Sequence, residues 1–140
     1  MSLSERFDRI KTGIPDSVEL VAVSKTYPIE VIQEAYNYGQ RVFGENRVQE
    51  LVAKYEALPK NIQWHLIGHL QKNKVKYIAP FVHLIHGVDT LELLLAIEKE
   101  GKKINRKIPC LLQVHIAKEE TKFGFNLEDI HPLITQKEVA

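Results

Sequence analysis

The stretch LVAVSKTYP, residues 20–28, decides what kind of sheet this chain builds. Mostly apolar residues run without interruption into Ser24, Lys25 and Thr26, and Pro28 follows. A strand with one wet face would be polar at every second position, whereas a parallel strand covered by helices is apolar on both faces. The lysine therefore sits at the C-terminal tip of a buried-type strand. A dinucleotide-binding, doubly wound sheet puts a glycine-rich phosphate loop directly after its first strand. SKTYP contains no glycine. Polar residues at strand tips suit a (β/α) barrel instead, whose functional residues gather at the C-terminal ends of its strands.

Outward from this strand the same alternation recurs. Residues 4–12 read as a short amphipathic helix and 18–25 as the first strand. Residues 28–39 form a helix with Pro28 in its first turn and Gly39 at its end. A strand at 40–44 leads to a helix at 45–58, in which Val48, Leu51, Val52 and Tyr55 keep helical spacing and Pro59 stops the run. Then come a strand at 63–70, a helix at 71–80, a strand at 81–89, a helix at 90–103 capped by Thr90, a strand at 108–116 and a helix begun at 126–134. Strands alternating with helices predict an α/β fold with a parallel sheet. The tips carry Lys25, Glu45 and Asn46, His69, Asp89 and the loop HIAKEETKFGF. The expected architecture is a parallel (β/α) TIM-barrel type. A whole barrel takes about 250 residues, so about five of its eight units are expected here, with residues 1–140 as the N-terminal portion of a single barrel domain.

Composition narrows the function classes. A formal net charge of +1 gives no field that would draw nucleic acid or an acidic membrane. Cys110 is the single cysteine, which excludes an internal disulfide and fits a reducing compartment. The start, MSLSERFDRIKTG, lacks the apolar core of a secretory signal, and no apolar run approaches the roughly 20 residues of a membrane span. A cytoplasmic location is expected.

Five stretches, LVAVSKTYP, GQRVFGENRVQEL, WHLIGHLQKNK, IHGVD and TKFGF, occur in this order. Together they resemble the YggS/PROSC family of pyridoxal 5′-phosphate (PLP) homeostasis proteins, whose fold is like the barrel domain of alanine racemase. The resemblance runs from about residue 18 to the end. It implies PLP as cofactor, bound as a Schiff base to the lysine of VSK, here Lys25. The asparagine of FGEN, here Asn46, would lie beside the cofactor ring. His69, at the tip of the third strand, joins the cofactor-binding candidates. Lys122 does so by its position, where the racemase barrel has a basic residue near the cofactor's phenolic oxygen. The family's phosphate-binding patterns, a serine in MGMSxD and an arginine in RxGxxxFG, do not occur in these 140 residues. Weak binding, with little preference for PLP over unphosphorylated pyridoxal, is the expectation for this chain. The function implied is a carrier that holds PLP and serves intracellular PLP homeostasis, with PLP-dependent apo-enzymes as partners and a monomeric full-length relative. The competing readings are a PLP-dependent amino-acid racemase and an inactive barrel fragment. A racemase of this fold needs a tyrosine base on the opposite ring face from an added domain, and that domain has no counterpart here.

The residues carry their own chemistry beside the resemblance. Only a neutral amine attacks an aldehyde, and burial at the end of an apolar strand would favour that form of Lys25. Val21, Val23 and Lys25 share one face by two-residue alternation; the bland alternative is a lysine reaching out to solvent. Asn46 could equally cap the following helix. Glu45 and Glu50 read as helix-start and solvent-face charges. His65 and His69 are four apart on a strand, roughly 13 Å, too far for one metal. His83 and His86 read as hydrogen-bonded structural residues. Lys72 and Lys74 suit either a solvated face or the attraction of a phosphate, and Cys110 reads as a small core residue.

Overall fold

Apolar strands and amphipathic helices alternate through the chain, and the parallel sheet predicted from that order is the one observed. The computed structural model describes residues 2–115 and 125–126. Helix α1 (Leu3–Thr12) precedes β1 (Ala22–Val23), α2 (Ile29–Tyr38), β2 (Val42–Glu45), α3 (Val48–Ala57) and β3 (Gln63–Leu66). A single 3-10 turn (Lys72–Lys74) runs into α4 (Val75–Ile78), followed by β4 (Leu84–Val88), α5 (Leu91–Lys103) and β5 (Cys110–Leu112). A separate parallel pair joins β6 (Val114–His115) to β7 (Phe125–Asn126).

The five-stranded sheet is parallel and ordered β1-β2-β3-β4-β5, the order of the sequence. A doubly wound sheet reverses its strand order at a switch point. Here each crossover advances the same way, so right-handed connections place the helices on one face. Burial agrees. Phe43 pairs in register with Trp64, their rings 5.8 Å apart, and Leu66 pairs with Ile85; all four are buried. They pack with Leu51, Val75, Ile78, Leu93 and Ile97 from the helices. Each such side chain contributes about 1.5–3 kcal/mol by leaving water. On the opposite face, Val23 and Leu111 are each 50% exposed. One covered face and one partly open face is the arrangement of a barrel wall.

Local signals fix the boundaries. Thr90 caps α5, its hydroxyl accepting from the Leu93 N–H at 3.1 Å. Gly39 ends α2 at φ 130°, a backbone conformation that favours glycine, and its N–H closes on Ala35 and Tyr36. Three expectations need correction. The first strand is far shorter than 18–25, because β1 is an edge with one neighbour and pairs through Ala22 and Val23. Helix α3 starts at Val48 instead of 45, because the ladder with β3 continues through Glu45, opposite Leu66. The run 71–80 is the 3-10 turn plus α4. The last expected helix begins on a residue of β7, and its remainder lies outside the described residues.

Candidate functional site

Because the strands are parallel and in register, their C-terminal ends line one edge of the sheet. Lys25 follows β1, Asn46 follows β2, His69 follows β3 and Asp89 follows β4. Gly68 knits this edge together. A Cβ there would lie 2.6 Å from the Asn46 carbonyl oxygen, so only bare backbone lets the loop after β3 close on the loop after β2. His69 Nδ1 stands 3.6 Å from the buried carboxylate of Asp89. Three of the four cofactor-binding candidates, Lys25, Asn46 and His69, thus share the edge; Lys122 lies outside the described residues.

Lys25 differs from expectation in one respect. Its side chain is exposed, and the burial invoked for its amine is absent. The physical reason is its place in the turn beyond β1, past the last paired residue of that strand. Among the described residues it has no hydrogen-bond or ion-pair partner. Asn46 does not cap α3, whose N-terminal flanking residue is Arg47.

Beneath the Lys25 turn lies a buried polar network that the sequence reading missed. Glu45, expected as a helix-start charge in solvent, is fully buried, and its alternation on β2 turns it to the helix side with Phe43. Lys54 of α3, also buried, reaches it at 2.9 Å. The same ammonium donates to the Ser24 carbonyl at 2.8 Å and to Glu50 at 2.7 Å. The Ser24 hydroxyl donates to Glu45, and the Thr26 N–H donates to Glu50 at 2.7 Å. Burial pushes the Glu45 carboxyl above its ordinary range, against the opposing pull of Ser24 and Lys54. Glu50 is held below that range, chiefly by its hydrogen bond from Lys54 and then by the Thr26 N–H. The available signal was spacing: Glu50 and Lys54 stand four apart on a helix, and Glu45 continues an apolar strand.

The histidines sort themselves differently from a metal site. His65 Nδ1 lies 2.9 Å from His86 Nε2, and its ring stacks on His83 with centroids 5.6 Å apart. Burial, with smaller contributions from His86 and His83, pushes His65 down to about 4. His86 has the hydrogen bond expected of it, although it lies within β4. His69 is apart from them, in the loop beyond β3. Lys72 pairs with exposed Glu92 at 3.5 Å, and the Lys74 ammonium lies 5.8 Å from the Tyr77 ring centroid. Cys110 is half-buried against the core, and burial raises its thiol pKa.

The parallel α/β fold is also what the comparisons with known proteins find. The family model described as alanine racemase, N-terminal domain, matches residues 1–138. The chain belongs to that family. A relative within reach of its sequence is the pyridoxal phosphate homeostasis protein of Aquifex aeolicus, 42% identical over 144 residues, which cover 95% of this chain and 63% of the relative. PipY of Synechococcus elongatus PCC7942 has been solved without PLP, with TM-score 0.89, 36% identity and coverage of 95% of this chain and 63% of PipY. Its structure with PLP bound matches at TM-score 0.85 and 35% identity, covering 98% of this chain and 66% of PipY. Alanine racemase of Clostridium difficile 630 matches at TM-score 0.75 over 93% of this chain and 35% of its own, at 15% identity, and so shares the fold. The chain therefore spans about 63% of the length of the Aquifex relative and of PipY solved without PLP. The resemblance carried by the five motifs is borne out by the family and by the names of these relatives.

Proposed function

We propose that residues 1–140 are the N-terminal portion of a single PLP-binding barrel domain, that Lys25 is the residue that holds PLP, and that the protein serves intracellular PLP homeostasis as a carrier. The observation that carries this reading is Lys25 itself: an exposed amine without a partner among the described residues, at the end of β1, in a chain 35% identical to a protein solved with PLP bound. PLP supplies an aldehyde, which condenses with a neutral lysine amine and releases water. The residues present fit that chemistry. The turn leaves the amine exposed, the Asn46 loop lies at the same edge of the sheet, closed upon by the loop after β3, and the Lys25 turn is fastened by Lys54 and Glu50. Asn46 would lie beside the ring and His69 at its margin. Lys72 and Lys74, in the 3-10 turn after β3, are the cations that could attract a phosphate.

A carrier is favoured over a racemase by the homeostasis names of the relatives, and three of the tyrosines are engaged elsewhere. Tyr36 bonds Asn61, Tyr38 bonds Asp8 and Tyr55 stacks on Phe81 at 3.9 Å, all occupied in packing. Tyr27, two residues after Lys25, would share its side of a bound ring. The recipients would be PLP-dependent apo-enzymes, in the cytoplasm, with the full-length protein a monomer. Among the described residues no helix is long and apolar enough to cross a membrane.

The test is borohydride reduction in the presence of PLP followed by peptide mapping. The pyridoxyl group is expected on Lys25 and lost in Lys25→Ala. Labelling elsewhere, unaffected by that substitution, removes the assignment. A chiral assay is expected to show no alanine racemisation above free PLP; turnover dependent on Lys25 would establish the enzyme reading instead.

A further inference from the structure

We infer that Glu50 is a positioning residue for Lys25: held by Lys54, its carboxylate fixes the turn that presents the Lys25 amine. The inference rests on Lys25 being the PLP-bearing residue. Thr26 sits at φ 66°, in the left-handed region that a β-branched residue seldom enters. Such a conformation persists only where surrounding contacts over-determine it. Those contacts flank Lys25 on both sides. Before it, the Ser24 carbonyl accepts from Lys54 Nζ at 2.8 Å and from the Tyr27 N–H at 3.1 Å. After it, the Thr26 N–H donates to Glu50 Oε2 at 2.7 Å, the same oxygen that receives Lys54 Nζ at 2.7 Å. One ammonium thus grips the residue before the lysine, and the carboxylate it holds grips the residue after. Lys25 itself contributes nothing to this clamp, so its amine is left for a ligand while its backbone is fixed.

Glu50 and Lys54 are one helical turn apart on α3, so the clamp is as rigid as the helix. Ser24 and Glu45 lie beneath and keep the ammonium from swinging away, since Glu45 Oε2 also accepts from Lys54 at 2.9 Å. The Glu50 side chain is 27% exposed, so shortening it opens no core cavity.

The experiment compares Glu50→Ala with Glu50→Gln in the whole chain. Glutamine keeps an oxygen that can accept from the Thr26 N–H; alanine keeps none. Two readouts are taken, amide hydrogen exchange at Thr26 without PLP and the absorbance of lysine-bound PLP during titration. Loss of one hydrogen bond to a charged group predicts, for Glu50→Ala, at least about tenfold faster exchange at Thr26 and about tenfold weaker PLP binding. Glu50→Gln should stay within about threefold of the parent in both. Unchanged exchange in Glu50→Ala overturns the clamp. Faster exchange with unchanged PLP titration overturns its role in presenting the amine. If the parent chain itself carries no PLP on Lys25, the assignment of Lys25 fails and this inference with it; if the parent carries it and Glu50→Ala titrates as tightly as the parent, only the inference fails.

Discussion

Replacing Lys54 with methionine should expose how much the fold depends on one buried ammonium. Lys54 is 5% exposed and makes three contacts, to Glu45 at 2.9 Å, Glu50 at 2.7 Å and the Ser24 carbonyl at 2.8 Å. Methionine fills much of the same volume, so the loss is electrostatic. Glu45, at 0% exposure, would keep the Ser24 hydroxyl as its remaining partner among those contacts. Removing one member of a buried ion pair costs about 3–5 kcal/mol. The lower end applies, because Glu45 can escape part of the cost by taking up a proton. About 3 kcal/mol at neutral pH corresponds to a melting temperature lower by about 12 °C for a domain of this size. The penalty must also depend on pH with a definite sign. Burial already raises Glu45 above its reference value of 4.5, and loss of Lys54 raises it further. Above that reference value the native state then binds more protons than the unfolded state, so unfolding free energy falls as pH rises. The variant should be hurt more at pH 8 than at pH 5. Urea unfolding at both values, with the double variant Lys54→Met/Glu45→Gln alongside, provides the assay. The double variant removes the stranded charge and should recover at least half of the loss. A loss below about 1 kcal/mol, a loss independent of pH, or a double variant no better than the single would refute this account of the network.

His65 offers a second titration. It is depressed from 6.5 to about 4, so between those values the unfolded state binds the proton and the native state does not; stability should rise with pH across this window, and His65→Phe should flatten the profile in urea titrations. Gly68→Ala would place a methyl 2.6 Å from the Asn46 carbonyl oxygen, a backbone atom that cannot rotate away; a loss of about 1–3 kcal/mol is expected on thermal melting, and a change within about 0.5 kcal/mol would mean that the two loops are not locked. Thr90→Ala removes the cap of α5 and should cost about 1 kcal/mol. Absorbance titration should find PLP and pyridoxal bound about equally and weakly, because neither phosphate-binding pattern occurs in the sequence; a strong preference for PLP would make Lys72, Lys74 and Lys122 the first residues to substitute.

The alternation of apolar runs with amphipathic ones was enough to specify a parallel α/β sheet, since strands covered by helices cannot carry polar residues at every second place. The missing glycine after LVAVS and the polar strand tips were enough to choose a barrel wall over a doubly wound sheet. Lys25, Asn46 and His69 could be placed on one edge from the sequence because parallel strands bring like ends together whatever their spacing along the chain. The polar network could not. GEN before a helical run reads as a helix start, and nothing local says that the β2–β3 ladder takes one more residue and turns Glu45 inward. Nor does Lys54 look buried in a charged helix; it becomes so only when α3 packs near the end of β1 and the Ser24 carbonyl, thirty residues earlier, accepts a hydrogen bond from its ammonium. The exposure of Lys25 was equally illegible. Strand composition reports which segments seek cover, while the cover a given side chain receives depends on its neighbours in space, and Lys25 stands exposed in the turn beyond β1.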